Sequence, residues 1–203
     1  NELRKMTGAG MMDCKKALQE ANGDFDKAIG ILRKKGQKIA EKRAERDSSE
    51  GAVIAKVNSD ATKGAIVSLN CETDFVSKND SYVAMAHKMA EIALNTNSKE
   101  EFLKADFEGI TVEEKLLEQT GVIGEKIEIA GYERIEAPYV ASYIHMGNKI
   151  GTLVGLSDVA EEAGKDIAMQ AAAMNPVALD KTSVPADVIE REMEVGREQA
   201  RQE

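Results

Sequence analysis

The 203-residue chain is 42% hydrophobic and 31% charged, a globular composition large enough for one or two compact domains with a buried core. Its formal charge of -9 is uneven: residues 1–50 hold twelve Lys/Arg against nine Asp/Glu, and the remainder fifteen against twenty-seven. Such an acidic body argues against direct nucleic-acid binding, which needs clustered Lys/Arg, and no apolar run approaches the roughly 18–20 residues of a membrane span.

Cys14 and Cys71 form no disulfide framework and read as free thiols of a reducing cytoplasm. No signal peptide is visible. Asn1 is not a natural start and the chain stops at Gln202-Glu203 inside a helical pattern, so a fragment trimmed at both ends is expected.

Residues 1–36 read as a three-helix head. Leu3 and Met6 close a first apolar face, which Thr7-Gly8-Ala9-Gly10 breaks. Met11, Cys14, Leu18 and Ala21 recur at helical spacing up to Asn22-Gly23. Asp24 caps a third helix carrying Phe25, Ala28, Ile29 and Leu32, and Gly36 is expected to end it. Three helices in under forty residues make a marginal core, so the head is expected to be tethered and mobile. Residues 37–50 are polar and read as a linker with some helix.

A weak internal repeat follows. In the first copy two apolar runs, 52–57 and 64–69, flank a turn and precede a helix over about 81–94. The second has runs 139–144 and 150–156 around the turn His145-Met146-Gly147-Asn148-Lys149, then a helix over about 159–174, stopped before Pro176. The class is therefore α+β: a core of two related lobes, 51–138 and 139–181, each an antiparallel hairpin packed with helices. Residues 97–126 are helical and charged, a further strand covers 126–130, and 182–203 form a terminal polar helix opened by Ser183-Val184-Pro185.

Catalytic constellations are scarce. His87, on a Met- and Ala-rich helix, reads as a structural or surface residue, and no Cys or His pair has metal-ligand spacing. Gly8-Ala9-Gly10 is not a phosphate loop, since Lys15-Lys16 come too late and no strand precedes it. Asp13 stands where a dinucleotide fingerprint needs its third Gly. What remains is apolar material at turns. Met11 and Met12 cannot both face one small core, because helical neighbours lie about 100° apart. Thr73 and Asp74 are helix-capping types followed by Phe75, whose ring either fills the core beneath the next helix or is offered to a partner. Gly147 and Asn148 suit the positive φ of a hairpin tip. These features favour a binding protein over an enzyme.

Three segments carry a family likeness. Thr7-Gly8-Ala9-Gly10-Met11-Met12-Asp13-Cys14-Lys15-Lys16-Ala17-Leu18 resembles the N-terminal signature of the elongation factor Ts family, the guanine-nucleotide exchange factors for elongation factor Tu. Asn70-Cys71-Glu72-Thr73-Asp74-Phe75-Val76 resembles its second signature, and Ser142-Tyr143-Ile144-His145 with Ile150-Gly151 a third. Two positions depart: Lys126 stands where the family often has Asn, and Asn148-Lys149 replaces a commoner small-plus-Arg pair.

The resemblance implies a ubiquitin-associated-like head and a two-subdomain core. It implies that Asp74 and Phe75 enter the G domain of Tu near its magnesium and phosphate site, with Thr73 shaping the turn and Val76 anchoring it. Met11, Met12, Lys15 and Arg4 would dock the head on that domain, and His145, Met146 and Gly147 would meet another domain of Tu. No cofactor and no covalent chemistry are implied. Homodimerisation stays open. A small-molecule enzyme using the cleft between the lobes, and a ubiquitin-binding adaptor built on the head alone, are the competing readings.

Overall fold

In the computed structural model, which describes residues 1–202, the chain opens with α1 (Glu2–Thr7), α2 (Met11–Glu20) and α3 (Phe25–Arg43). Gly8 adopts a left-handed conformation and stops α1, and the Asp24 carboxylate accepts from the Lys27 amide to cap α3. The small core here consists of Leu3, Ala9, Cys14, Ala17, Ala21 and Ala28. Met6 and Met11, expected on its apolar faces, are instead 62% and 64% exposed. The buried stripe runs through Cys14 and Ala17 of α2 to Ala21 at its C-cap, which turns the first-turn methionines away.

Gly36 does not end α3. The helix passes through it and continues to Arg43, so most of the expected linker is helical. Gly36 serves a crossing instead: a Cβ there would lie 2.6 Å from the Leu117 carbonyl oxygen, and one on Gly121 would lie 2.9 Å from the Gly36 Cα. Leu117 and Gly121 belong to α7 (Val112–Ile123), and α7 also lends Val122 to the head core. Borrowed apolar surface thus answers the shortage that a forty-residue unit faces alone.

The core is built from β1 (Glu50–Val57), β2 (Lys63–Cys71), α4 (Asp74–Ser77), α5 (Asp80–Ala93), α6 (Lys99–Lys104), β3 (Asp106–Phe107), β4 (Ile110–Thr111) and α7. It continues with β5 (Glu128–Glu136), β6 (Tyr139–Ile144), β7 (Gly151–Leu156) and α8 (Glu161–Met174). One antiparallel sheet runs β1-β2-β5, and β3-β4 and β6-β7 are separate hairpins. The class is α+β, as the sequence pattern indicates.

Strand alternation decides the layering. Ala52, Ile54, Val67 and Leu69 are fully buried on one face of the first sheet, in a core shared with Tyr82, Ala86, Met89 and Ala93 of α5. Phe102, Phe107, Val112 and Leu116, from the charged segment between α5 and β5, complete that core. The opposite face meets the second hairpin: Gly151 closes on Val53 and Ile66, and Gly64 on Val140 and Leu153. The outer face of that hairpin carries α8, with Gly164 against Tyr139, Ala141 and Leu156 and the Thr152 hydroxyl donating to the Ala168 carbonyl at 2.7 Å. The order of layers is helix, sheet, hairpin, helix.

Residues from Ala173 onward form a separate unit. Its helix, α9 (Ala186–Gln202), starts where the Pro185 carbonyl accepts from the Val188 and Ile189 amides. Ser183 does not cap it, because its hydroxyl turns back to Asp180.

Candidate functional site

β2 ends at Cys71, and the chain turns through Glu72 and Thr73 into the single turn of α4. Phe75 projects from that turn and is 86% exposed, which excludes the core orientation of its ring. Val76 packs partly buried against the first-lobe core, and Ser77 is buried. Below the turn the Cys71 thiol donates to the Thr73 carbonyl at 3.2 Å, and burial pushes its pKa up. The Tyr82 hydroxyl donates to the Leu69 carbonyl at 2.7 Å, likewise raised by burial.

Asp74 points outward. Its carboxylate accepts from the Lys78 ammonium at 2.6 Å, one helical turn on, and this pairing holds it below the usual carboxylate range. The surface therefore presents an anion and an aromatic ring on consecutive residues.

Behind the turn lie two carboxylates. Glu125, in the segment joining α7 to β5, accepts from the Thr73 hydroxyl at 2.7 Å, the Thr73 amide at 3.0 Å and the Glu72 amide at 3.2 Å. Glu72 accepts from Arg43 at the end of α3, 2.7 Å to each oxygen, and from the Lys126 amide at 2.7 Å. Burial alone would raise the Glu72 pKa, but the Lys126 amide and the Arg43 guanidinium outweigh it and hold the group below its ordinary value. Lys126 therefore makes this contact through its backbone, which an Asn there would supply equally.

The β6–β7 tip lies at the same end of the first sheet. Gly147 and Asn148 both take positive φ, 87° and 56°. The Asn148 carbonyl accepts from the Val53 amide at 2.8 Å, and Lys149 pairs with Glu50 and reaches the Ser77 hydroxyl at 3.4 Å. Lys149 thus ties the tip to α4. Met146 is 90% exposed, Gly147 is exposed, and the exposed His145 shares a 2.9 Å hydrogen bond with the Tyr143 hydroxyl.

On the head, Arg4, Met11 and Lys15 line one shallow groove floored by Leu3, Cys14 and Leu18. Met12 lies outside that lining and is 60% exposed, so neither first-turn methionine faces the core. Among the described residues no hydrogen bond or ion pair joins this group to α4 or to the tip. The candidate residues thus fall into two patches. Between the first sheet and the β6–β7 hairpin, Val53 and Ile66 pack close on Gly151, and Val140 and Leu153 on Gly64.

Glu125, Glu72, Arg43 and Lys149 escape the sequence reading. They are ordinary charged residues, and only the topology assembles them. Lys149 belongs to the pair that departs from the family pattern, two residues beyond Gly147, and Glu72 lies inside the second signature, but no spacing marks either as part of the site.

Comparison with known proteins gives a concordant result. A family model described as Elongation factor TS matches residues 72–203. A protein named Elongation factor Ts from Christiangramia forsetii is 66% identical over all of this chain and 75% of its own length. Its namesake from Flavobacterium psychrophilum is 59% identical with the same coverage. That of Amoebophilus asiaticus is 51% identical over 98% of this chain and 74% of its own length.

Proposed function

The chain belongs to the elongation factor Ts family, and from that premise we propose that it accelerates GDP release from elongation factor Tu in the cytoplasm by pressing Asp74 and Phe75 against the G domain. The observation that carries this reading is the exposure of Phe75, an 86% exposed aromatic ring on an ordered turn. Burying a phenylalanine side chain is worth about 1.5–3 kcal/mol, so a free protein that leaves one in water holds that energy for a partner.

The physical route is linkage. A protein that speeds nucleotide release must bind the nucleotide-free form more tightly than the GDP form. The Phe75 ring supplies apolar binding energy to the opened form, and the neighbouring Asp74 carboxylate brings negative charge toward the magnesium and β-phosphate site, weakening the hold on GDP. No bond is made or broken. The head groove with Arg4, Met11 and Lys15, together with Met12, would dock on the G domain. His145, Met146 and Gly147 would meet a second domain of Tu. Thr73 and Val76 act from within the turn, Thr73 through its bonds to Glu125 and Val76 through its packing.

The test is release of a fluorescent GDP analogue from Tu, followed by stopped flow. The chain is expected to accelerate release in proportion to its concentration until saturation. Release at the intrinsic rate at every concentration would sink the proposal.

A further inference from the structure

We infer that Glu125, buttressed by the Arg43–Glu72 pair, is a positioning residue for nucleotide release: it aims Asp74 and Phe75 by holding the backbone of the turn. The inference rests on the exchange reading above.

The turn cannot hold itself. α4 has four residues, and a helix of one turn is unstable alone. Thr73 occupies its N-cap position but gives it no side-chain cap, because the hydroxyl is committed to Glu125. Phe75 adds no anchoring, since its ring is in water. Val76 and Ser77 are the residues of the turn that pack inward, and the Asp74–Lys78 pair ties the turn only to its own next residue.

Three hydrogen bonds donated to one carboxylate fix the two residues before Asp74. Both backbone donors meet the same oxygen and the hydroxyl meets the other, so the carboxylate is gripped along its whole edge. A charged acceptor makes each bond stronger than a neutral one. Glu72 cannot drift either, because Arg43 and the Lys126 amide hold its carboxylate and the Glu72 side chain is 13% exposed. The turn is therefore clamped from α3 on one side and from the α7–β5 segment on the other. Neither clamp touches the outward face, where Asp74 and Phe75 stand.

A purely structural Glu125 would affect folding or docking in general. A positioning Glu125 affects what happens after docking, while the head and the tip still find the partner. GDP release from Tu is measured at rising concentrations of wild type, Glu125→Ala, Glu125→Gln and Thr73→Val, with a thermal melt of each. Glu125→Ala is expected to lower the saturating rate about 10–100-fold, the scale of loss for a reacting group misplaced by about 1 Å, and to leave the half-saturating concentration within about threefold. Glu125→Gln keeps an acceptor oxygen for the amides, and its NH₂ can donate to the Thr73 hydroxyl. It is expected to recover to within about threefold of wild type.

A Glu125→Ala saturating rate within about twofold of wild type overturns the inference. So does a defect confined to the half-saturating concentration, or a failure of Glu125→Gln to exceed Glu125→Ala. If Glu125→Ala does not fold, Thr73→Val decides: it deletes one donor, about 1 kcal/mol and hence a roughly three- to tenfold slower saturating rate, and an unchanged rate overturns the inference. Wild type separates the two ideas, since an inactive wild type refutes the exchange reading itself.

Discussion

Phe75 stands on the α4 turn and Lys126 touches the residues behind it, yet only one of the two is expected to matter when substituted. Truncating Phe75 empties no core, because its ring is already in water. Phe75→Ala is expected to leave the melting temperature within about 2 °C of wild type, since exposed substitutions stay within about 0.5 kcal/mol and that shifts a chain of this length by about 1–2 °C. Exchange should fall about tenfold or more, because the 1.5–3 kcal/mol of aromatic burial is lost from the complex alone. A drop of many degrees would place the ring in a core after all. Lys126→Asn is expected to change neither quantity by more than about 0.5 kcal/mol. The bond that matters leaves from its amide, and its ammonium only pairs with Glu128 and reaches the Arg46 carbonyl at the surface. Sequence reading went as far as naming Asp74 and Phe75 and leaving the ring two directions. Which direction holds depends on where β2 ends relative to the first-lobe core, and no local pattern carries that.

Helices and strands were legible where periodicity was strong. Both hairpins and α5 and α8 stand within a few residues of their expected positions, because alternation and amphipathic spacing are imposed by the faces they bury. α3 was misread at Gly36 because a glycine that stops a helix and one that admits a neighbouring helix look identical in one dimension. The two roles give opposite signs. In an ordinary helix interior Gly→Ala stabilises by about 1 kcal/mol. At Gly36 the new Cβ would meet a backbone carbonyl at 2.6 Å, and backbone cannot swing aside. Gly36→Ala is therefore expected to destabilise by about 1–3 kcal/mol, lowering the melting temperature by roughly 2–12 °C in a thermal scan. An increase in melting temperature would mean that α3 and α7 do not cross here. The first turn of α2 shows the same limit: Met11 shares helical spacing with Cys14 and Leu18, yet both it and Met12 are exposed, where the spacing required only one of them to be.

Across the whole molecule, Glu72 joins three separate stretches of sequence: the end of α3, the end of β2 and the segment after α7. Its folded pKa lies below the ordinary 4.5, so in acid the unfolded chain takes up the proton first. The stabilisation it confers is complete above about pH 5 and is lost as the pH falls through its depressed folded value. Melting temperatures measured from about pH 6 down to about pH 3 should decline, and Glu72→Gln should start lower and decline less steeply. Equal slopes would show that Glu72 titrates alike in both states. Such long-range joins are the part of the site that sequence could not reveal, since residues 43, 72 and 125 share no spacing and meet only through the fold.

α3 carries the last consequence. It is a 19-residue helix, about 28 Å long at 1.5 Å per residue, and it runs unbroken from the head groove's neighbourhood to the back of the Phe75 turn. A flexible tether would let the two patches sample many separations, so that engaging the second after the first would cost chain entropy. A helical strut replaces that sampling with one span. Under the proposed function the molecule acts as a bivalent ligand of fixed gauge: once one patch has landed, the effective concentration of the other is set by geometry, high for a partner whose two footprints match the strut and negligible for one whose footprints do not.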